Sequence, residues 1–238
     1  MRHLKTGVLA SVRSLYEARI ALQAGAHIID LKEPLAGALG AVSAHTVEEV
    51  VGYVAGRRPI SATIGDLPMD GRRLYDAVCR VADFGPNHIK IGFFRDSGSD
   101  WLTCVRTLES CAVRGMSLIA VIFADQSSEV EQLDIFASHG FHGVMLDTAS
   151  KDTGPLTSHW TTSSLETFVR RVHDLGMICG LAGSLSLAQV PVLKRLEADY
   201  LGFRGALCDP SGREGTLRAE RIKLVVKSLQ RTELASTP

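Results

Sequence analysis

Lysines and aspartates close hydrophobic runs at three well-separated places in this chain. In HIIDLKEPLAGALG, residues 27–40, Asp30 and Lys32 stand two apart; in HIKIG, residues 88–92, Lys90 follows His88 at the same spacing. In GVMLDTASKD, residues 143–152, Asp147 ends the run and Lys151 comes four residues later. Side chains alternate faces along a strand, so Asp30 and Lys32 point the same way. Taking a carboxylate and an amine out of water is costly unless they are paired or used. An ion bridge between Asp30 and Lys32 would account for the first segment alone. The phase of the others asks for more: with Ile89, Ile91, Val144 and Leu146 facing outward, Lys90 and Asp147 face in with the first pair.

Clustered lysines suggest amine chemistry. A free lysine, with a pKa of about 10.4, is neutral at pH 7 only about once in a few thousand molecules. A second ammonium and partial burial both depress that value and free an amine to attack a carbonyl. The resulting iminium is an electron sink for proton removal and carbon–carbon bond formation, with Asp30 and Asp147 as candidate proton shuttles. The logic is that of a class I aldolase, with Lys32 or Lys90 as the nucleophile; phase alone does not choose between them.

The elements that must position these groups follow from periodicity. Strands are expected at residues 8–11, 27–31, 59–64, 88–92, 117–123, 143–147, 178–182 and 200–203. Helical spacing falls between and after them, at residues 14–25, 46–56, 72–84, 101–114, 129–139, 164–175, 187–196 and 220–229. Strict alternation implies a parallel sheet, and eight units in this length indicate a single α/β domain, a (β/α)8 TIM barrel. A doubly wound open sheet is the competing architecture. It is disfavoured because Ala10-Ser11-Val12-Arg13, and no glycine-rich phosphate loop, follows the first strand. In a barrel the site lies at the carboxyl ends of the strands, where all the charged residues above are placed. The polar stretch 148–163 is expected to be a long functional loop, and residues 231–238 a frayed tail.

The turns after the last two strands point to a ligand. These loops commonly hold phosphate with backbone amides. Gly183 allows close backbone approach, and Ser184 or Ser186 could cap the following helix. Arg204, next to Gly205, either contacts the phosphate bidentately or pairs with a neighbouring acid. Asp66, just beyond the third strand, is counted with the substrate-binding set.

Composition narrows the class. Lys plus Arg equals Asp plus Glu, 26 against 26, which argues against a nucleic-acid partner. Five cysteines form no CxxC pair and the histidines lack ligand spacing, so neither a disulfide framework nor a metal site is expected. No apolar run approaches membrane-spanning length and no secretory leader is evident, so a cytoplasmic protein is expected. A homo-oligomer is the expected assembly.

Taken in order, residues 30–41 (DLKEPLAGALGA), 61–66 (SATIGD), 89–92 (IKIG), 146–152 (LDTASKD), 181–185 (LAGSL) and 202–208 (GFRGALC) resemble the (5-formylfuran-3-yl)methyl phosphate synthases. The resemblance runs from about residue 8 to 223. It implies a barrel lyase of methanofuran biosynthesis needing no organic cofactor. Two molecules of glyceraldehyde 3-phosphate would condense to 4-(hydroxymethyl)-2-furancarboxaldehyde phosphate with loss of one phosphate and two waters. It further implies lysine chemistry at Lys32, Lys90 and Lys151 with Asp147, and in its light Lys32 is the preferred Schiff-base residue. Two other readings stand beside it: a lysine-dependent aldolase or isomerase acting on another sugar phosphate, and a non-catalytic phosphate-ligand sensor.

Overall fold

The expected runs form parallel strands that close on themselves. In the computed structural model, which describes residues 6–95, 100–126, 133–150 and 152–230, these are β1 (Gly7–Val12), β2 (Ile28–Leu31), β3 (Ile60–Thr63), β4 (His88–Gly92), β5 (Leu118–Phe123), β6 (Gly143–Asp147), β7 (Ile178–Leu181) and β8 (Tyr200–Phe203). Each pairs with its sequence neighbour, and β1 pairs with β8 with Gly7 opposite Tyr200, so the open-sheet alternative is excluded. The helices are α1 (Leu15–Gln23), α2 (Ala44–Val54), α3 (Gly71–Ala82), α4 (Trp101–Val113), α5 (Leu133–Ser138), α6 (Leu156–His159), α7 (Thr162–Asp174), α8 (Val190–Lys194) and α9 (Ala219–Gln230).

Alternation along the strands divides the apolar residues into two cores. Outward residues such as Val8, Ile29, Ile91, Leu146 and Leu201 pack under the helices. Inward residues Leu9, Ile119, Val121, Phe123, Met145 and Tyr200 fill the barrel, each buried side chain contributing roughly 1.5–3 kcal/mol. Room for them comes from small neighbours: a β-carbon at Gly180 would lie 2.5 Å from Tyr200 Cε2.

Caps explain where the helices begin. The side chains of Ser14, Ser43, Asp70, Asp100 and Thr161 each accept the amide three residues on, satisfying a donor with no partner inside the helix. Thus α2 starts at Ala44, two residues before the expected start, because Ser43 is the cap. The expected helix over 187–196 is instead a 3-10 turn, Leu187–Gln189, followed by α8; Pro191 lacks the amide an unbroken helix would need. Within the loop expected at 148–163, Leu156 and Trp160 are buried and draw in α6, and Trp160 meets Phe168 edge-on. The expected helical residues 129–132 and the tail 231–238 lie outside the described residues. No helix among the described residues is long and apolar enough to cross a membrane.

At the amino-terminal end of the barrel His88 Nδ1 hydrogen-bonds Ser117 Oγ at 2.7 Å and the ring stacks on His142. Burial, then the His142 charge, lowers the His88 pKa to about 4. The unfolded chain binds this proton below about pH 6.5 while the folded chain refuses it down to about pH 4, so stability present above pH 6.5 is lost as pH falls. The urea midpoint should therefore drop between pH 7 and 4.5, and drop less in His88→Gln. Equal slopes in the two proteins would remove His88 from the acid response.

Candidate active site

Desolvated charges need partners, and the barrel supplies them across its mouth. Lys90 Nζ donates to Asp30 Oδ1 at 2.8 Å. Asp30 also accepts Ser61 Oγ at 2.6 Å and Ser11 Oγ at 2.8 Å. This first pair is fully enclosed, with Asp30 at 0% and Lys90 at 2% exposure. Lys32 Nζ lies 3.6 Å from Asp147 Oδ2, and Asp147 Oδ1 accepts the Thr148 amide. The partners are thus crossed: Asp30 and Lys32, two apart in sequence, each pair with a different strand. The ion bridge suggested by their spacing does not form.

The two pairs differ in tightness. At 3.6 Å the Lys32–Asp147 contact is longer than a hydrogen bond, and Lys32 sits nearer the opening at 7% exposure. Burial lowers the Lys90 pKa, and Lys32 lowers it further, outweighing the opposing pull of Asp30. For Asp30, burial raises the pKa, but the Lys90 and Lys32 charges and the hydrogen bonds of Lys90 and Ser61 outweigh it and hold the carboxyl below its ordinary value. Asp30 is therefore a fixed anion, and Lys90 an ammonium held less firmly than usual.

Above the pairs opens a cavity of about 370 Å³, within the size range of small-molecule sites, lined by Lys32, Lys90 and Asp147 and by the turns after β7 and β8. Gly183 has φ +102°, and a β-carbon there would lie 2.9 Å from Thr148 Cγ2; Ser184, at φ +49°, holds a conformation uncommon outside glycine. This bend leaves the Gly183 and Ser184 amides without an acceptor among the described residues. The Gly183 carbonyl accepts the Leu156 amide, which packs the β6 loop onto the β7 loop. Ser186, rather than Ser184, starts the following turn, with the Gln189 side chain accepting its amide.

Two residues of the expected ligand set have their partners within the protein. Arg204 borders the cavity, but all five of its N–H groups are committed. Nη1 and Nη2 grip buried Glu17 at 2.5 and 3.1 Å, and the remaining three reach the carbonyls of Ser11, Arg213 and Gly215. With five donors and five acceptors matched, none is left for a phosphate. Asp66 anchors a loop: its carboxylate accepts the Ala38 and Leu39 amides, both at 2.7 Å. Gly37, at φ +113°, lets the chain pass this carboxylate, which a β-carbon would strike at 2.0 Å. Gly183, Ser184 and Gly205 line the cavity; Lys151 lies outside the described residues.

Sequence reasoning missed three contributors. Ser11, in phase with Leu9 at the end of β1, was legible from alternation. Asp125, which accepts the Ala149 and Ser150 amides at 2.8 and 2.7 Å, and Arg213, which borders the cavity from the β8 loop, carried no periodic signal. Among the described residues no group of three or more His, Cys, Asp or Glu side chains is placed to hold a metal ion.

Comparison with known proteins gives a consistent set. Residues 8–226 match the model of a family described as 4-HFC-P synthase. The chain is 39% identical over 223 residues to a Methylorubrum extorquens protein named "Putative (5-formylfuran-3-yl)methyl phosphate synthase", covering 94% of this chain and 91% of that one. It is 33% identical over 232 residues to the (5-formylfuran-3-yl)methyl phosphate synthase of Methanococcus aeolicus, covering 92% and 98%. Among solved structures, phosphoribosyl anthranilate isomerase from Thermus thermophilus and 3-hexulose-6-phosphate synthase from Salmonella typhimurium each superpose with a TM-score of 0.65 over 94% of this chain and, respectively, 98% and 100% of theirs. At 12% and 14% identity these two share the fold alone.

Removing one member of a buried ion pair strands the other. Arg204→Met should therefore cost roughly 3 kcal/mol in urea unfolding, the lower end for a broken buried pair, because Glu17 keeps the Arg13 amide and the longer Arg13 charge contact at 4.0 Å. An unchanged unfolding midpoint would contradict the bracing role given to Arg204.

Proposed function

The chain belongs to the 4-HFC-P synthase family, a family of enzymes, and from that premise we propose that it condenses two molecules of glyceraldehyde 3-phosphate into 4-(hydroxymethyl)-2-furancarboxaldehyde phosphate through a Schiff base on Lys32. The observation that carries this reading is the loosely paired Lys32 amine at the cavity, 3.6 Å from Asp147 and above the tight Lys90–Asp30 pair.

In this mechanism one triose first isomerises to its ketone form. The Lys32 nitrogen, its proton passed to Asp147, adds to the ketone carbon, and loss of water leaves an iminium. Proton removal from C2 of the second triose and β-elimination of its phosphate leave an enol, whose terminal carbon attacks the iminium carbon and makes the branched carbon–carbon bond. Lys90, with its weakened hold on its proton, and Lys151, matched to the family only by sequence, serve as acid–base partners. The terminal hydroxyl of the first triose then adds to the ketone of the second and closes the ring, and loss of water and of the Lys32 amine completes the furan. All six carbons are kept; one phosphate and two waters leave, and no oxidant or reductant is needed. The unbonded amides at Gly183 and Ser184 suit the phosphate that is retained.

Purified protein given glyceraldehyde 3-phosphate should produce a furan-aldehyde absorbance and one phosphate per furan. Lys32→Ala should keep the fold, with some loss of stability from the lost Lys32–Asp147 contact, and abolish both signals. A six-carbon product without a furan would instead favour a lysine-dependent aldolase for another sugar phosphate. Near-normal turnover by Lys32→Ala would remove this residue from the chemistry.

A further inference from the structure

Charge around the cavity is unevenly compensated. Four cations among the described residues line it: Lys32, Lys90, Arg204 and Arg213. The first three have carboxylate partners in Asp147, Asp30 and Glu17. Arg213 pairs with no described carboxylate. Its one side-chain hydrogen bond runs from Nη2 to the Gly37 carbonyl at 2.9 Å, a neutral acceptor, which leaves most of its five donors unused. We infer that Arg213 is the side-chain anchor for a substrate phosphate and sets the enzyme's preference for phosphorylated trioses over neutral ones.

The surroundings of Arg213 hold it ready for this task. Its backbone carbonyl accepts Arg204 Nε at 2.8 Å, and Arg204 is locked to Glu17 and to the Ser11 carbonyl at the end of β1. Its other contact, Gly37, belongs to the loop that Asp66 pins through the Ala38 and Leu39 amides. A cation fixed from both sides loses little freedom on binding, and a guanidinium fork matches phosphate oxygens. The same contact ties the β8 loop to the loop that follows Lys32, so a phosphate held by Arg213 lies between the anion site and the catalytic strand. The buried arginine of GFRGAL is thus the brace, and the arginine nine residues later is the hand.

The inference rests on the phosphotriose reading for its ligand class, and a carbonyl-free probe keeps the two separable. Glycerol 3-phosphate cannot form an iminium, so its binding reports the anion site alone. Calorimetric titration of the full chain should show Arg213→Gln binding it roughly tenfold or more weakly than wild type, the usual scale for a lost charge-assisted contact, with Arg213→Lys in between. With glyceraldehyde 3-phosphate, Arg213→Gln should raise KM while kcat stays within about threefold, the mark of lost uniform binding. Affinity of Arg213→Gln within twofold of wild type, or no binding by the wild type, would overturn the inference. Arg213-dependent binding in a protein that makes no furan would uphold it and dismiss the furan reading.

Discussion

Two ammonium groups sit inside this barrel only because each is matched to an aspartate on a strand two or four places round the ring. Lys90 on β4 reaches Asp30 on β2, and Lys32, just past β2, reaches Asp147 on β6. Residues from alternate strands share a layer in such barrels, so strand alternation brings all four groups to one mouth. The asymmetry of the pairs then divides the labour. The 2.8 Å pair, completed by Ser11 and Ser61, is a buried and fully bonded foundation. The 3.6 Å pair beside the cavity leaves an amine that a carbonyl carbon can approach.

The loops above this foundation are held by carboxylates that do no chemistry. Asp66 takes two amides of the loop after β2, and Asp125 takes two amides of the loop after β6. Glu17 grips Arg204, which in turn carries the β8 loop. A carboxylate accepting two or more good donors is satisfied and anchored. Such acids near a mouth are therefore fasteners, and the loops they fasten belong to strands that carry the paired lysines and aspartates or border the cavity.

Much of this was legible in the chain itself because it follows from period. Strand alternation located all eight strands, placed Lys90 and Asp147 on the inner face, and gave β4, β6 and β8 their observed bounds. Partners were not legible: spacing brought Asp30 and Lys32 together, whereas pairing across the barrel depends on closure and stagger, which no local pattern encodes. The roles of Arg204 and Asp66 were ambiguous for a related reason. A charge at a strand end is equally consistent with a ligand contact and with a brace, and only the counting of donors and acceptors separates them. Asp125 and Arg213 lie in irregular loops where neither helical nor strand period marks a face.

The central claim is that Lys32 is the amine that becomes covalently bound to substrate. Borohydride reduction during turnover with glyceraldehyde 3-phosphate, followed by peptide mass mapping, tests it most directly. A reduced triose adduct on Lys32, with Lys90 unmodified, is the predicted result. An adduct on Lys90, or none on either lysine while furan is still being made, would contradict it.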